Sequence, residues 1–243
     1  MRLTFRLGGA LEIGRLGFGA MHVGDTPSSG ARLELGVGLI DRADVYGTET
    51  SELLIAEALH PYPAGLVIAT KGGLNRLRDR LRDGRPEYLR SAREPSLRRL
   101  RLVRIDLDSL HRHDPEVPIE ESVGALEELR QEGKTLLIGL SSLARAAATQ
   151  TFGRPGRGGA EREQRRLPRL QGCAAGVRGG RDRLHALGPL GEGLGGPALE
   201  LASLLERSPV IVPISGTPSV AQLEENMSAL SSAALPPATT GSP

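Results

Sequence analysis

Six short apolar, β-rich runs punctuate the chain, at residues 16–21, 37–40, 66–70, 103–110, 136–140 and 210–214. Between them the apolar residues take helical spacing. Residues 51–59 predict one helix, with Thr50 or Ser51 as N-cap. Residues 87–102 predict another, which Pro95 is expected to kink or split. Residues 119–132 are the cleanest: Glu-rich at the start, apolar at Val123, Leu126 and Leu129, and stopped by Gly133. Strands alternating with helices point to βαβ units and a parallel sheet. The pattern suits a doubly wound sheet or a (β/α)8 barrel with two unreadable strands, in one domain spanning residues 1–243.

Polar residues follow the runs closely. The second ends at Asp41, with Tyr46 just beyond. The third ends at Lys71, the fourth at His111 and the fifth at Ser141 and Ser142. The last ends at Ser215, Gly216 and Thr217. In parallel α/β folds the C-terminal strand ends share one face, and sites form there. Asp41, Tyr46, Lys71 and His111 are therefore expected to converge. A phenol with a pKa near 10 is a poor acid at neutral pH. A neighbouring ammonium stabilises its phenolate, and a carboxylate keeps that ammonium charged and oriented. With a histidine to hydrogen-bond a carbonyl, this set can protonate a carbonyl oxygen while a hydride reaches the carbon.

Composition changes the picture in three ways. Aromatic residues make up 2% of the chain, with no Trp, so the core must be aliphatic. Lys71 and Lys134 are the only lysines among 31 basic residues. A lysine kept against such an arginine bias is the more expected to be needed as lysine. The single Cys173 rules out an internal disulfide and a cysteine-based zinc site. The other potential ligands show no metal spacing beyond "HRHD" at 111–114, so no metal is expected. No apolar run has the length of a membrane span, and the first ten residues do not read as a signal peptide. A soluble cytoplasmic protein is the expectation.

The blocks "GFGAM" (17–21), "IDRADVYG" (40–47), "VIATKGG" (67–73), "IDLDSLHRHDP" (105–115), "EESVGALEELRQEGKTLLIGLSS" (120–142) and "VPISGTPSVAQLEEN" (212–226) resemble those of the aldo/keto reductases, in that family's order. The resemblance covers roughly residues 12–143 and 187–230. It implies a (β/α)8 TIM barrel, complete or lacking strands six and seven. It also implies NADPH, with NADH as the alternative, and reduction of a small aldehyde or ketone to an alcohol. The family's catalytic tetrad falls on Asp41, Tyr46, Lys71 and His111, with Tyr46 as proton donor. Its cofactor contacts fall on Gly19, Ala20, Ser141, Ser142, Gly216, Thr217, Gln222, Glu225 and Asn226. A non-catalytic binding or regulatory protein on the same scaffold is the alternative. Neither nucleic acid nor membrane is expected as a partner, and the resemblance does not fix an oligomeric state.

The chain departs from the family at several points. Arg42 stands beside Asp41 where a small hydroxyl residue is usual, and Ser142 replaces an Asn. Residues 24–39 are short for a full first helix. Gln222 stands where an Arg often meets the 2′-phosphate, and Leu187 where an aromatic stacks on nicotinamide. The largest departure is residues 144–188, with ten arginines against Glu161, Glu163 and Asp182. The basic excess of the whole chain, formally +2, lies in this segment. No strand of ordinary length can be read from it. It reads as a disordered insertion, a basic nucleic-acid arm, or translation out of frame between in-frame flanks. The last is preferred, because the segment replaces needed strands and has the Arg, Gly, Ala and Pro content of GC-rich DNA in a wrong frame. The absence of lysine and a single aromatic, Phe152, argue against nucleic acid. Residues 235–243 are expected to form a flexible tail.

Overall fold

The structure, a computed structural model, describes residues 4–22, 37–75, 81–141, 174–176, 183–185, 201, 205, 212–216 and 220–234. It opens on an antiparallel hairpin, β1 (Thr4–Leu7) and β2 (Leu11–Gly14). Gly8 and Gly9 take φ of 57° and 70° at its turn, values that suit glycine and match the twist of a tight hairpin.

The body is a six-stranded sheet. Its strands are β3 (Gly17–Gly19), β4 (Leu39–Asp41), β5 (Val67–Gly72), β6 (Ile105–Leu110), β7 (Thr135–Leu140) and β10 (Ile214–Ser215). They run β10-β3-β4-β5-β6-β7, and every adjacent pair is parallel. Helices α1 (Thr50–Leu59), α2 (Pro86–Leu100) and α3 (Ile119–Gln131) make the crossovers from β4 to β7, and α4 (Val220–Ala234) follows β10. Sequence neighbours are sheet neighbours throughout, and the last strand lies beside the first. A doubly wound sheet reverses its order at a switch point. This order is the arc of a (β/α)8 barrel.

Side-chain alternation divides the core. Leu39, Val67, Ala69, Leu107, Leu137, Val212 and Ile214 share the inner side with Leu7 and Ile13, so the hairpin plugs the bottom of the arc. Ile40 and Ile68 face outward onto Ile55 and Leu59 of α1 and Leu97 and Leu100 of α2. Ile138 and Leu140 meet Val123, Leu126 and Leu129 of α3 in the same manner. Phe18 is the one aromatic among the buried hydrophobic residues described.

Several expectations need correction. Helix α2 runs unbroken through Pro95, because Leu89 and Arg93 before it and Leu97 and Leu100 after it are all buried. The fourth strand begins at Ile105, and Val103 lies outside it, 95% exposed. The N-terminal hairpin was not anticipated. Within 144–188 two three-residue strands exist, β8 (Ala174–Gly176) and β9 (Arg183–His185), antiparallel to each other. The rest of that segment and residues 235–243 lie outside the described residues.

Candidate active site

The period of two carries each strand from core to chemistry. Leu39 leads to Asp41, Val67 and Ala69 to Lys71, Leu107 to His111, and Leu137 to Ser141. The ladder continues past the strands: the His111 amide donates to the Gly72 carbonyl at 2.7 Å and the Ser141 amide to that of Leu110 at 2.9 Å. The Arg42 and Asp44 amides likewise donate to the carbonyls of Ala69 and Lys71, both at 3.1 Å. Tyr46 opens a 3-10 turn, Tyr46–Glu49, that runs directly into α1.

The four expected residues meet. The buried Lys71 Nζ donates to Asp41 Oδ2 at 2.6 Å and to the Arg42 carbonyl at 3.1 Å. The same Nζ lies 5.5 Å from the Tyr46 ring centroid. Tyr46 and His111 contact edge to face, with centroids 5.8 Å apart and planes at 82°. A phenol thus sits between an ammonium and an imidazole, with the ammonium clamped by a carboxylate. Such a group can hand over a proton and tolerate the charge left behind.

Behind the tetrad lies a charge cluster that reading the sequence missed. Arg42, Glu52, Arg93 and Asp108 are fully buried, and Asp44 is nearly so. Arg42 pairs with Glu52, which also takes Arg99 of α2. Arg93 Nη2 meets Asp108 Oδ1 at 2.7 Å. Glycine at 72 gives Arg93 its room: a Cβ there would stand 3.0 Å from Arg93 Nη2 and 3.6 Å from Asp44 Oδ2. Burial pushes the carboxyl of Asp44 up to about 6, against the pull of Arg93 and Arg42. Asp108 is also pushed up to about 6, by burial first and by the nearby Asp44 charge. Burial pulls the Arg42 guanidinium below its ordinary range. The available signal was charge at core-facing positions, Arg93 within the apolar stripe of α2 and Asp108 within the apolar run of β6.

Of the expected cofactor residues, Gly19, Ala20, Gly216 and Asn226 lie at the β3–β10 junction. Gly19 and Gly216 approach so closely that a Cβ on Gly19 would stand 3.4 Å from the Gly216 nitrogen. Ala20 is buried, and its carbonyl accepts a hydrogen bond from Ser51 Oγ at 3.3 Å. Asn226 of α4 is buried and its Nδ2 donates to Ser215 Oγ at 3.2 Å. Its Oδ1 is buried without a hydrogen-bond partner among the described residues. Gln222 and Glu225 are exposed on α4, Gly216 is exposed, and Ser141 is buried at the end of β7. Ser142 and Thr217 lie outside the described residues. Among the described residues no cluster of three or more His, Cys, Asp or Glu could hold a metal. No described helix is long and apolar enough to cross a membrane.

Known proteins resemble this chain. A model described as the aldo/keto reductase family matches residues 15–152. An uncharacterized oxidoreductase of Schizosaccharomyces pombe is 41% identical over 150 residues, 56% of this chain and 49% of that protein. The chain spans about half the length of the curated relatives it matches. An aldo-keto reductase from Bacillus halodurans, solved in a holo form, is 25% identical over 95% of this chain and 91% of its own, with a TM-score of 0.67. One from Klebsiella pneumoniae in complex with NADPH is 21% identical over 95% and 90% of the two chains, with a TM-score of 0.67.

Proposed function

This chain belongs to the aldo/keto reductase family, and from that membership we propose that it reduces a small aldehyde or ketone to an alcohol with NADPH. The observation that carries this reading is the meeting of Lys71, Asp41, Tyr46 and His111 at adjoining strand ends. Tyr46 donates its phenolic proton to the carbonyl oxygen. Lys71 stabilises the phenolate left behind, Asp41 holds Lys71 in place, and His111 orients the carbonyl by a hydrogen bond. A bound dihydronicotinamide supplies the hydride, so carbon gains two electrons while oxygen gains the proton.

The residues at the β3–β10 junction fit such a cofactor. Asn226 Oδ1 offers a buried acceptor there. Gly19, Ala20, Ser141 and Ser142 would hold the nicotinamide half. Gly216, Thr217, Gln222, Glu225 and Asn226 would hold the adenosine half. NADPH in the Klebsiella pneumoniae relative supports the choice of cofactor. The exposed Gln222 offers no charge to a 2′-phosphate, which leaves NADH the alternative donor. We place the protein in the cytoplasm, where this cofactor pool lies.

The test is NADPH oxidation with a panel of small aldehydes and ketones. Tyr46→Phe should lower turnover by about 10²–10⁴-fold, the usual worth of a positioned acid. Turnover unchanged in that variant would refute Tyr46 as donor. A second reading, a non-catalytic protein on the same scaffold, is favoured by the family match ending at residue 152. It predicts no turnover on any member of the panel.

A further inference from the structure

The buried charges behind the tetrad have no part in the proton transfer, yet they grip the piece of chain that holds Lys71. The Arg42 carbonyl accepts from Lys71 Nζ, as does the Asp41 carboxylate. The Arg42 side chain is fully buried. Its Nε and Nη2 have no hydrogen-bond partner among the described residues, so the ion pair with Glu52 is the direct contact that holds it, with the Asp44 charge nearby. Glu52, equally buried, sits in the first turn of α1, six residues past Tyr46. Its other oxygen takes Arg99 from α2. One carboxylate therefore ties the end of β4, the start of α1 and the last turn of α2 together. An arginine buried without its counter-charge is strongly unfavourable, and the chain carrying it moves to reach water.

We propose that Glu52 is a positioning residue of the tetrad: by pairing with Arg42 and Arg99 it fixes the Asp41–Arg42 strand end, and so keeps the Asp41 carboxylate and the Arg42 carbonyl in place on Lys71 beside Tyr46. This rests on the reading of Tyr46 and Lys71 as the reacting pair. Glu52 touches neither substrate nor cofactor; it acts through Arg42 and Lys71. Among the described residues, Lys71 from β5, Asp41 from β4 through Lys71, and His111 after β6 face Tyr46.

The chain lends itself to a direct measurement that needs no turnover. It has no Trp and three Tyr, so the near-ultraviolet phenolate band reports on tyrosines alone. Burial pushes Tyr62 up to about 12, and subtracting the titration of Tyr46→Phe isolates Tyr46. Lys71→Met should raise the Tyr46 midpoint by about one pH unit, because the ammonium that favours the phenolate is gone. Glu52→Gln should raise it by about half as much, because Lys71 loses its hold. The sign discriminates. Removing a negative charge, with nothing moved, would lower the midpoint by simple Coulomb attraction. A fall or no change in Glu52→Gln therefore overturns the proposal. No response to Lys71→Met would instead sink the underlying reading of the tetrad. Should Glu52→Gln fail to fold by circular dichroism, two milder variants replace it. Glu52→Asp keeps the charge but shortens the reach, and Arg99→Gln removes the partly exposed partner. Both should raise the midpoint less than Lys71→Met does, and an unchanged midpoint in both refutes the role.

Discussion

Lys71 and Lys134 show what a single residue discloses and what it hides. Both survive in a chain that otherwise uses arginine. Lys71 holds Asp41 from a buried strand end, where a compact ammonium suits a phenolate neighbour better than a planar guanidinium. Lys134 pairs at the surface with Glu94 and Glu132, at 2.6 and 2.8 Å, a task arginine can share. The tetrad was legible because each member follows an apolar run, whereas the cluster behind it was not. Nothing local marks Arg93 as the partner of Asp108, fifteen residues away; only the packing of α2 on β6 joins them. The consequence of that cluster is a pH dependence of unusual sign. Asp44 and Asp108 hold their protons to about 6 in the folded chain, against an ordinary 3.8. The folded state thus binds more protons than the unfolded one between those values. Their contribution to stability is complete below about pH 4 and is lost as pH rises through 6, the reverse of a surface-paired carboxylate. Denaturant midpoints taken from pH 4 to 7 should therefore fall across the window, and Asp44→Asn should flatten the fall by on the order of 2 kcal/mol. An identical slope in that variant would show that Asp44 does not titrate there.

Elements were read well where both of their signals agreed. Strands β4 to β7 are apolar runs flanked by turns, and the helices between them carry clear stripes. The N-terminal hairpin escaped notice because Thr4–Leu7 alternates with arginine over only four residues, and its partner is as short. Helix α2 was expected to break because Pro95 cannot donate, yet burial on both sides of it keeps the helix together. The hairpin's importance appears at Gly38, just before β4. A Cβ there would lie 2.9 Å from the backbone nitrogen of Gly14, which cannot rotate away. At Gly17 the comparable contacts are side-chain atoms of Ile214 and Leu39, which can yield. Gly38→Ala should therefore push the plug off the inner core and lower stability by roughly 1–3 kcal/mol. Gly17→Ala should cost less. Thermal denaturation of the two variants side by side checks the order, and a reversed order would mean that β2 is not held against β4 as described.

At the scale of the whole molecule, the question is what the chain supplies between β7 and β10 of the barrel arc. The family match ends at residue 152, shortly after β7. Yet Ile214–Ser215 returns to pair in parallel with β3, where the last strand of a (β/α)8 barrel belongs. The chain between offers β8 and β9, antiparallel and separated by residues 177–182 alone. Neighbouring parallel strands need a crossover of a dozen residues or more, so this pair cannot serve as strands six and seven of the barrel. The sequence resemblance lapses across residues 144–188, and out-of-frame translation between in-frame flanks would produce that lapse. An insertion would instead leave the needed strands somewhere in the chain. The coding DNA decides between them. Read in the other two frames across residues 144–188, it should yield a Gln-Asn pair after a Val-rich run, and an aromatic immediately before Gly188-Pro189-Leu190. A chain built in that frame should bind NADPH more tightly than this one, by quenching or calorimetry, because the nicotinamide would regain its stacking partner. If neither frame yields the pattern, residues 144–188 are the protein's own, and the barrel must be completed by other means.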